Sequence, residues 1–203
     1  MKEPRSDIAV DAPAIRYATD TSAWADWQRA YRFGVLLILP PAGIAEEFNR
    51  LRQRYDPASA AISPTHISVS RPLVAELTDT VREEISGILS GVEPFELYFE
   101  KPHASPDYAG VSFPVYPQSA IDKLKQIVHR ASVFDSAGHE RDDIPAHITV
   151  AEFISIDESL ALAARLEAKA TKTTFTCDRL TLVVPDEHFR FREMASFAFK
   201  GVD

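Results

Sequence analysis

The predicted elements of this chain run through the same order twice, and that duplication restricts the fold more than any other feature. "GVLLILP", beginning at Gly34, is a continuous apolar strand, and "AGIAEEFNRLRQRYD" after it is an amphipathic helix with Ile44, Phe48, Leu51 and Tyr55 on one face. "HISVS" is the next strand. "TVREEISGILSG" is a helix opening with a capping box from Thr80 to Glu83 and stopping at Gly91, and "PFELYFEKP" closes the unit as an alternating strand. The order then recurs as the strand "AGVSFPVY", a helix carrying Ile121, Leu124 and Val128, the strand "PAHITVAEF", and a helix capped from Ser155 to Glu158. "TFTCDRLTLVVP" ends this second unit as a strand whose apolar phase slips between Cys177 and Leu180, which predicts a bulge near Asp178.

The units cover residues 34–101 and 109–185, and a final strand, 188–200, has no counterpart in the first. The expected fold is therefore α+β, with duplicated strand-helix-strand-helix-strand units forming two pseudo-symmetric lobes whose antiparallel sheets line a central cleft. Residues 1–22 read as a flexible extension, and 23–203 as one bilobal domain. Trp24, Trp27 and Tyr31 recur at helical spacing just inside that domain, predicting a short helix packed on the body.

Each unit starts its second strand with a histidine. Side chains on a strand alternate between faces, so His66, Ser68 and Ser70 share one face while Ile67 and Val69 take the other; His147 and Thr149 repeat this against Ile148 and Val150. The H-x-S/T spacing alone is weak evidence, because His103 in "KPHASPD" shows it too, among prolines that predict a turn. His66 and His147 differ from it in context: each follows a proline by two residues and opens a strand at the same place in a repeat. A pseudo-twofold arrangement would set them face to face.

Two histidines across one cleft suit a specific chemistry. Imidazole titrates near pH 6.5, so one ring can be neutral and accept a proton while the other is charged and donates one. Ser68 and Thr149, two positions on, would reach the non-bridging oxygens of a phosphodiester held between the rings. The chain has no HExxH sequence and no ligand-spaced cluster on one element, and "GHERDD" at His139 reads as a solvated loop, so no metal cofactor is expected.

"THISVS" and "AHITVA" resemble the paired H-x-[S/T] motifs of the 2H phosphoesterase superfamily, in its bacterial branch of 2′-5′ RNA ligase-like proteins. The resemblance implies a metal-independent enzyme acting on 2′,3′-cyclic or related phosphodiesters of RNA ends and nucleotides, with ligation as the reverse reaction. It implies catalytic roles for His66 and His147 and phosphate-binding roles for Ser68 and Thr149. Members often place proline directly before the histidine, whereas Thr65 and Ala146 stand there in this chain. The alternative is a nucleotide-binding module on the same fold that performs no turnover.

Other residues are secondary candidates for holding substrate. Arg190 and Arg192 in "HFRFRE" share a strand face with His188 and offer charge to phosphate; Phe113 and Tyr116 offer rings to a base, although core packing is the default for Phe113. A net charge of −8 disfavours a long nucleic-acid groove and points to a small nucleotide or an RNA end as the partner. The single Cys177 excludes an internal disulfide and reads as a core residue. With no signal-like leader, and no apolar run long enough to span a bilayer, a cytoplasmic monomer is expected.

Overall fold

The computed structural model describes residues 15–105, 108–137 and 143–200. Its architecture is α+β with antiparallel sheets, as the duplicated order predicts. The first unit opens with β1 (Val35–Ile38), α2 (Ala42–Tyr55) and β2 (Ile67–Pro72), after a single helical turn, α1 (Asp26–Arg29). A six-residue helix that the sequence reading missed, α3 (Pro57–Ile62), stands between α2 and β2, with Asp56 capping it through Ser59 N–H. The unit continues with α4 (Asp79–Leu89) and β3 (Phe95–Phe99). The second unit holds β5 (Tyr108–Pro114), α5 (Gln118–Val128), β6 (His147–Glu152), α6 (Ile156–Glu167), β7 (Thr173–Cys177) and β8 (Arg179–Pro185). A short strand, β4 (His103–Ser105), precedes it, and β9 (Phe191–Ala198) follows.

The strands show how the two units combine. One sheet runs in the order β2-β1-β8-β9, so the strand that completes the first unit's sheet comes from the second unit. Conversely, β3 of the first unit pairs with β7, and a backbone bridge between Tyr98 and Tyr116, with both N···O distances 2.8 Å, hooks that pair onto the end of β5 beside β6. Each unit thus lends its closing strand to the other. The exchange also explains the phase slip in "TFTCDRLTLVVP": the segment is two strands, and the chain changes sheets at Asp178.

A shared core lies under the sheets, where Leu36, Ile38, Ile67 and Leu182 meet Leu97, Ile121, Leu124 and Ile148. Apolar alternation puts these residues inside, and their burial is the main favourable term of folding. Cys177 lies in this core, where burial pushes its thiol up to about 12. Gly34 enters β1 at φ 92, with Val183 O only 2.4 Å from where a Cβ would stand, so both the backbone and the space call for glycine.

Three local expectations are corrected. The cap of α4 is Thr78, whose hydroxyl accepts from Val81 N–H, so Thr80 lies inside the first turn. His103 belongs to β4, in register with Ser112, and not to a turn. The extension, where described, is packed down: Ala18 is buried and Tyr17 accepts from Leu77 N–H, while Trp24, just inside the domain, packs on the body as expected, against Phe189 and with its indole N–H donated to Glu187 O. The Ser155–Glu158 capping box is present as predicted.

Candidate active site

β2 and β6 approach each other at the junction of the two lobes, and cross-lobe bonds hold them there. Asp56, ending α2, accepts from Glu152 N–H in the second unit's strand; His129, ending α5, accepts from Arg71 N–H in the first unit's strand. Both amides lie five residues beyond their histidines. Each strand is therefore anchored at its far end by the helix of the other unit.

The near ends match as well. His66 Nδ1 lies 2.8 Å from Pro64 O, and His147 Nδ1 lies 2.7 Å from Pro145 O. A carbonyl oxygen only accepts, so in both rings Nδ1 carries the proton and donates it, which leaves Nε2 as the basic nitrogen. The recurring proline two positions before each histidine supplies this carbonyl from a backbone of fixed φ. A carboxamide then steadies the residue between: Asn49 Oδ1 accepts from Thr65 N–H and hydroxyl, and Gln118 Oε1 accepts from Ala146 N–H. Gln118 and Asn49 occupy different helical positions, so comparing the repeats would not have found them.

Among described residues, the hydroxyls of Ser68 and Thr149 are engaged by no protein group, and neither residue is buried, whereas Ile67, Val69, Ile148 and Val150 are. Ser70, third on the same face of β2, is taken up by structure: it accepts from Leu36 N–H, beside the irregular register between Val35 and Leu37. The two motif hydroxyls stay available.

The two histidines sit in unlike surroundings. Burial of the His66 ring, helped by the positive charge of Arg52 and by that of His147, pushes it down to about 4, against the opposing pull of Pro64 O. Arg52 is a buried cation that the sequence reading missed, although it falls four residues after Phe48 on the helix face that turns inward. It donates to Ser63 O at 2.8 Å, Ser59 O at 3.0 Å and Ser63 Oγ at 3.3 Å.

The secondary candidates fare differently. Phe113 is buried edge-on against Phe48 and Phe99, where no base can stack on it. Tyr116 remains exposed, stacked on Tyr98 two residues beyond Pro114, the register partner of His147. His188 and Arg190 lie in a turn and not on a strand face, because Asp186 accepts from both their backbone N–H groups and β9 starts at Phe191. Arg190 and Arg192 both pair with Asp186, and register sets Arg192 opposite Val184, on the sheet face away from Ser68. His139 lies outside the described residues. No group of three metal-ligating side chains occurs among those described, and no helix there is long and apolar enough to cross a membrane.

Two units joined by exchanged strands, with a histidine at the start of the strand each contributes to the junction, define a class, and comparison with known proteins agrees. The model of the 2′-5′ RNA ligase superfamily matches residues 40–189, and the chain belongs to that family. A protein of Oceanobacillus iheyensis, named "Putative phosphoesterase", is 28% identical over 156 residues, 75% of this chain and 88% of the relative. A like-named protein of Bacillus cytotoxicus is 29% identical over 151 residues, 73% of this chain and 86% of its own. The fold matches that of Escherichia coli LigT complexed with 3′-AMP, with a TM-score of 0.52 at 16% identity, covering 82% of this chain and 97% of that one. TT0787 of Thermus thermophilus aligns with a TM-score of 0.50 at 9% identity, over 83% and 98% of the two chains.

Proposed function

We propose that this chain hydrolyses 2′,3′-cyclic or 2′-5′ phosphodiesters of RNA ends or small nucleotides, and forms them in the reverse reaction, by acid–base catalysis between His66 and His147. The observation that carries the reading is the matched pair itself: two rings on strands that meet at the junction, each with Nδ1 committed to a proline carbonyl and Nε2 left to exchange a proton. Membership of the superfamily and the names of the relatives support phosphoester chemistry.

In the forward direction a water oxygen attacks phosphorus while one neutral Nε2 takes its proton. The bond from phosphorus to one ribose oxygen breaks, and the other ring, charged, gives that oxygen its Nε2 proton. The products are a phosphomonoester and a free hydroxyl, and the rings return to their starting states through solvent. Ser68 and Thr149 donate to the non-bridging oxygens as charge grows there. The step uses protein groups alone and needs no metal.

The test is turnover of the four 2′,3′-cyclic nucleotides, and of an oligonucleotide ending in a cyclic phosphate, with EDTA present. Product formed in EDTA by the wild type, and lost on His66→Ala or His147→Ala, supports the reading. Activity that vanishes with EDTA and returns with zinc or manganese overturns the mechanism. Nucleotide binding without turnover of any substrate makes the chain a binding module.

A further inference from the structure

Every residue of β1 is buried, although neighbouring side chains on a strand point to opposite faces. Leu36 and Ile38 face the shared core, so Val35 and Leu37 are covered from the other side. That side is the one that carries Ser68. Register sets Leu37 opposite Ser68, Val35 opposite Val183, and Pro185 opposite Phe191. Tyr31 and Phe191 supply the cover, packed on Val35, Leu37 and Val183. The matching face of the second unit is barer: beside Thr149 and His147, β5 presents Ser112 and Pro114, both half-buried.

The cover belongs to an aromatic cluster that reaches the motif strand. Asp186 turns the chain by accepting from His188 and Arg190 N–H, and Phe189 takes φ 58, a left-handed conformation that phenylalanine seldom adopts. Its ring thereby enters the cluster, edge to face with Trp24 at 5.1 Å, Phe191 at 5.2 Å and Trp27 at 5.4 Å between centroids. Ile62, four residues before His66, packs on the same cluster. Trp24 is buried and Tyr31 half-buried, as their helical spacing predicts, but Trp27 is 58% exposed. Tyr31 and Phe189 stand at 84° and 86° to the Trp27 indole, so neither is stacked on it. Trp27 and Tyr31 both precede the residues that the family model matches, 40–189.

Resting on the reading that a nucleotide phosphodiester is held between the two histidines, we propose that Trp27 stacks a base of the substrate, braced by Tyr31 and Phe189. Specificity then comes in part from a segment outside the matched fold. A phosphate at Ser68 carries a sugar and a flat aromatic base, and the aromatic cluster borders Ser68 on the same face of the sheet. Stacking also suits the charge of the chain. At a net −8, with Arg190 and Arg192 both paired to Asp186, the base is the part of a nucleotide that this side of the site holds without a free cation. Every base has a π-face, so such a platform tolerates many sequences, and purines, with two rings, stack more strongly than pyrimidines. The base belongs either to the reacting nucleotide or to the adjoining one, and the experiment separates these sources.

The experiment compares kcat/KM on adenosine 2′,3′-cyclic phosphate, on an adenosine dinucleotide ending in a 2′,3′-cyclic phosphate, and on methyl riboside 2′,3′-cyclic phosphate, which has no base. In Trp27→Ala and Trp27→Leu the ratio of base-bearing to baseless substrate should fall by roughly 5- to 100-fold, the worth of one stacked base, through KM and not kcat. Trp27→Tyr should keep the ratio. A fall with the mononucleotide assigns the reacting nucleotide's own base to Trp27, and a fall with the dinucleotide alone assigns the adjoining base. Ratios unchanged with both, or a Trp27→Leu variant that matches Trp27→Tyr, overturn the proposal. Trp27→Tyr and Trp27→Phe keep a ring against Tyr31 and Phe189, so the proposal stays testable if Trp27→Ala does not fold. Binding gives a readout without turnover: the dinucleotide 3′-phosphate should quench tryptophan fluorescence in the wild type, ribose 3-phosphate should not, and Trp27→Phe should lose the quench. A quench that survives in Trp27→Phe comes from Trp24 and overturns the proposal. A wild type that shows the Trp27 quench but turns over no substrate fails the proposed function and leaves the stacking site standing.

Discussion

The strands β2 and β6 carry the same device in different surroundings. In each, a proline carbonyl fixes a histidine tautomer, a helix carboxamide holds the backbone N–H of the residue just before the histidine, and the partner unit's helix grips the strand five residues on. The first unit's helix α2 carries a buried arginine, Arg52; at the matching point of α5 lies a valine, Val128. What repeats is the hardware that aims a ring, and what differs is the electrostatic setting of that ring. Duplication supplies two copies of one tool and sets each in its own surroundings.

The largest effects should come from breaking both halves of the comparison. His66→Ala and His147→Ala are each expected to lower kcat by about 10² to 10⁴-fold, the usual worth of one proton transfer. The rings act in one transition state, so the double variant should resemble the worse single one, measured as kcat/KM on a 2′,3′-cyclic nucleotide. Costs that multiply would mean the rings work independently.

The scaffold comes next. Asn49→Ala strands Thr65 N–H and hydroxyl, and Gln118→Ala strands Ala146 N–H, each in a part-buried site. Leaving such a group without a partner costs about 1 to 3 kcal/mol, readable as a lower urea midpoint. Gln118→Ala should cost more, because it also removes the Nε2 hydrogen bonds to Val115 O and Ala146 O. A larger cost for Asn49→Ala would show that those two carbonyls find water without penalty.

Much of this arrangement was legible beforehand. Apolar periodicity gave the helices and strands, and the repeat singled out His66 and His147 from six histidines. The exchange of β3 and β8 was hidden, since periodicity reports which face of a strand is buried and says nothing of which sheet it joins. Only the slipped phase at Asp178 betrayed it. Asn49, Asp56, Gln118 and His129 act through contacts distant in sequence, and their types are ordinary on helices. Arg190 misled because alternation in "HFRFRE" extends the strand pattern back past Phe191, while the Asp186 carboxylate turns the chain at that point.

The smallest effects belong to the hydroxyls. Ser68→Ala and Thr149→Ala each remove one neutral hydrogen bond to phosphate, worth about 0.5 to 1.5 kcal/mol, and should weaken kcat/KM by roughly two- to tenfold. Because neither hydroxyl serves the protein's own structure, the urea midpoint should not move. A loss of stability without a loss of activity in either variant would take that residue out of the site.

The central claim is that the two units build one site around one phosphorus atom. Titrating the wild type with 3′-AMP or 2′-AMP, products of the proposed reaction, while following the His66 and His147 ring resonances tests it most directly. The account predicts that both rings shift together, with one Kd and a one-to-one stoichiometry, and that either His→Gln substitution weakens the response of the ring that remains. Rings that respond with different Kd values, or only one ring that responds at all, would contradict it.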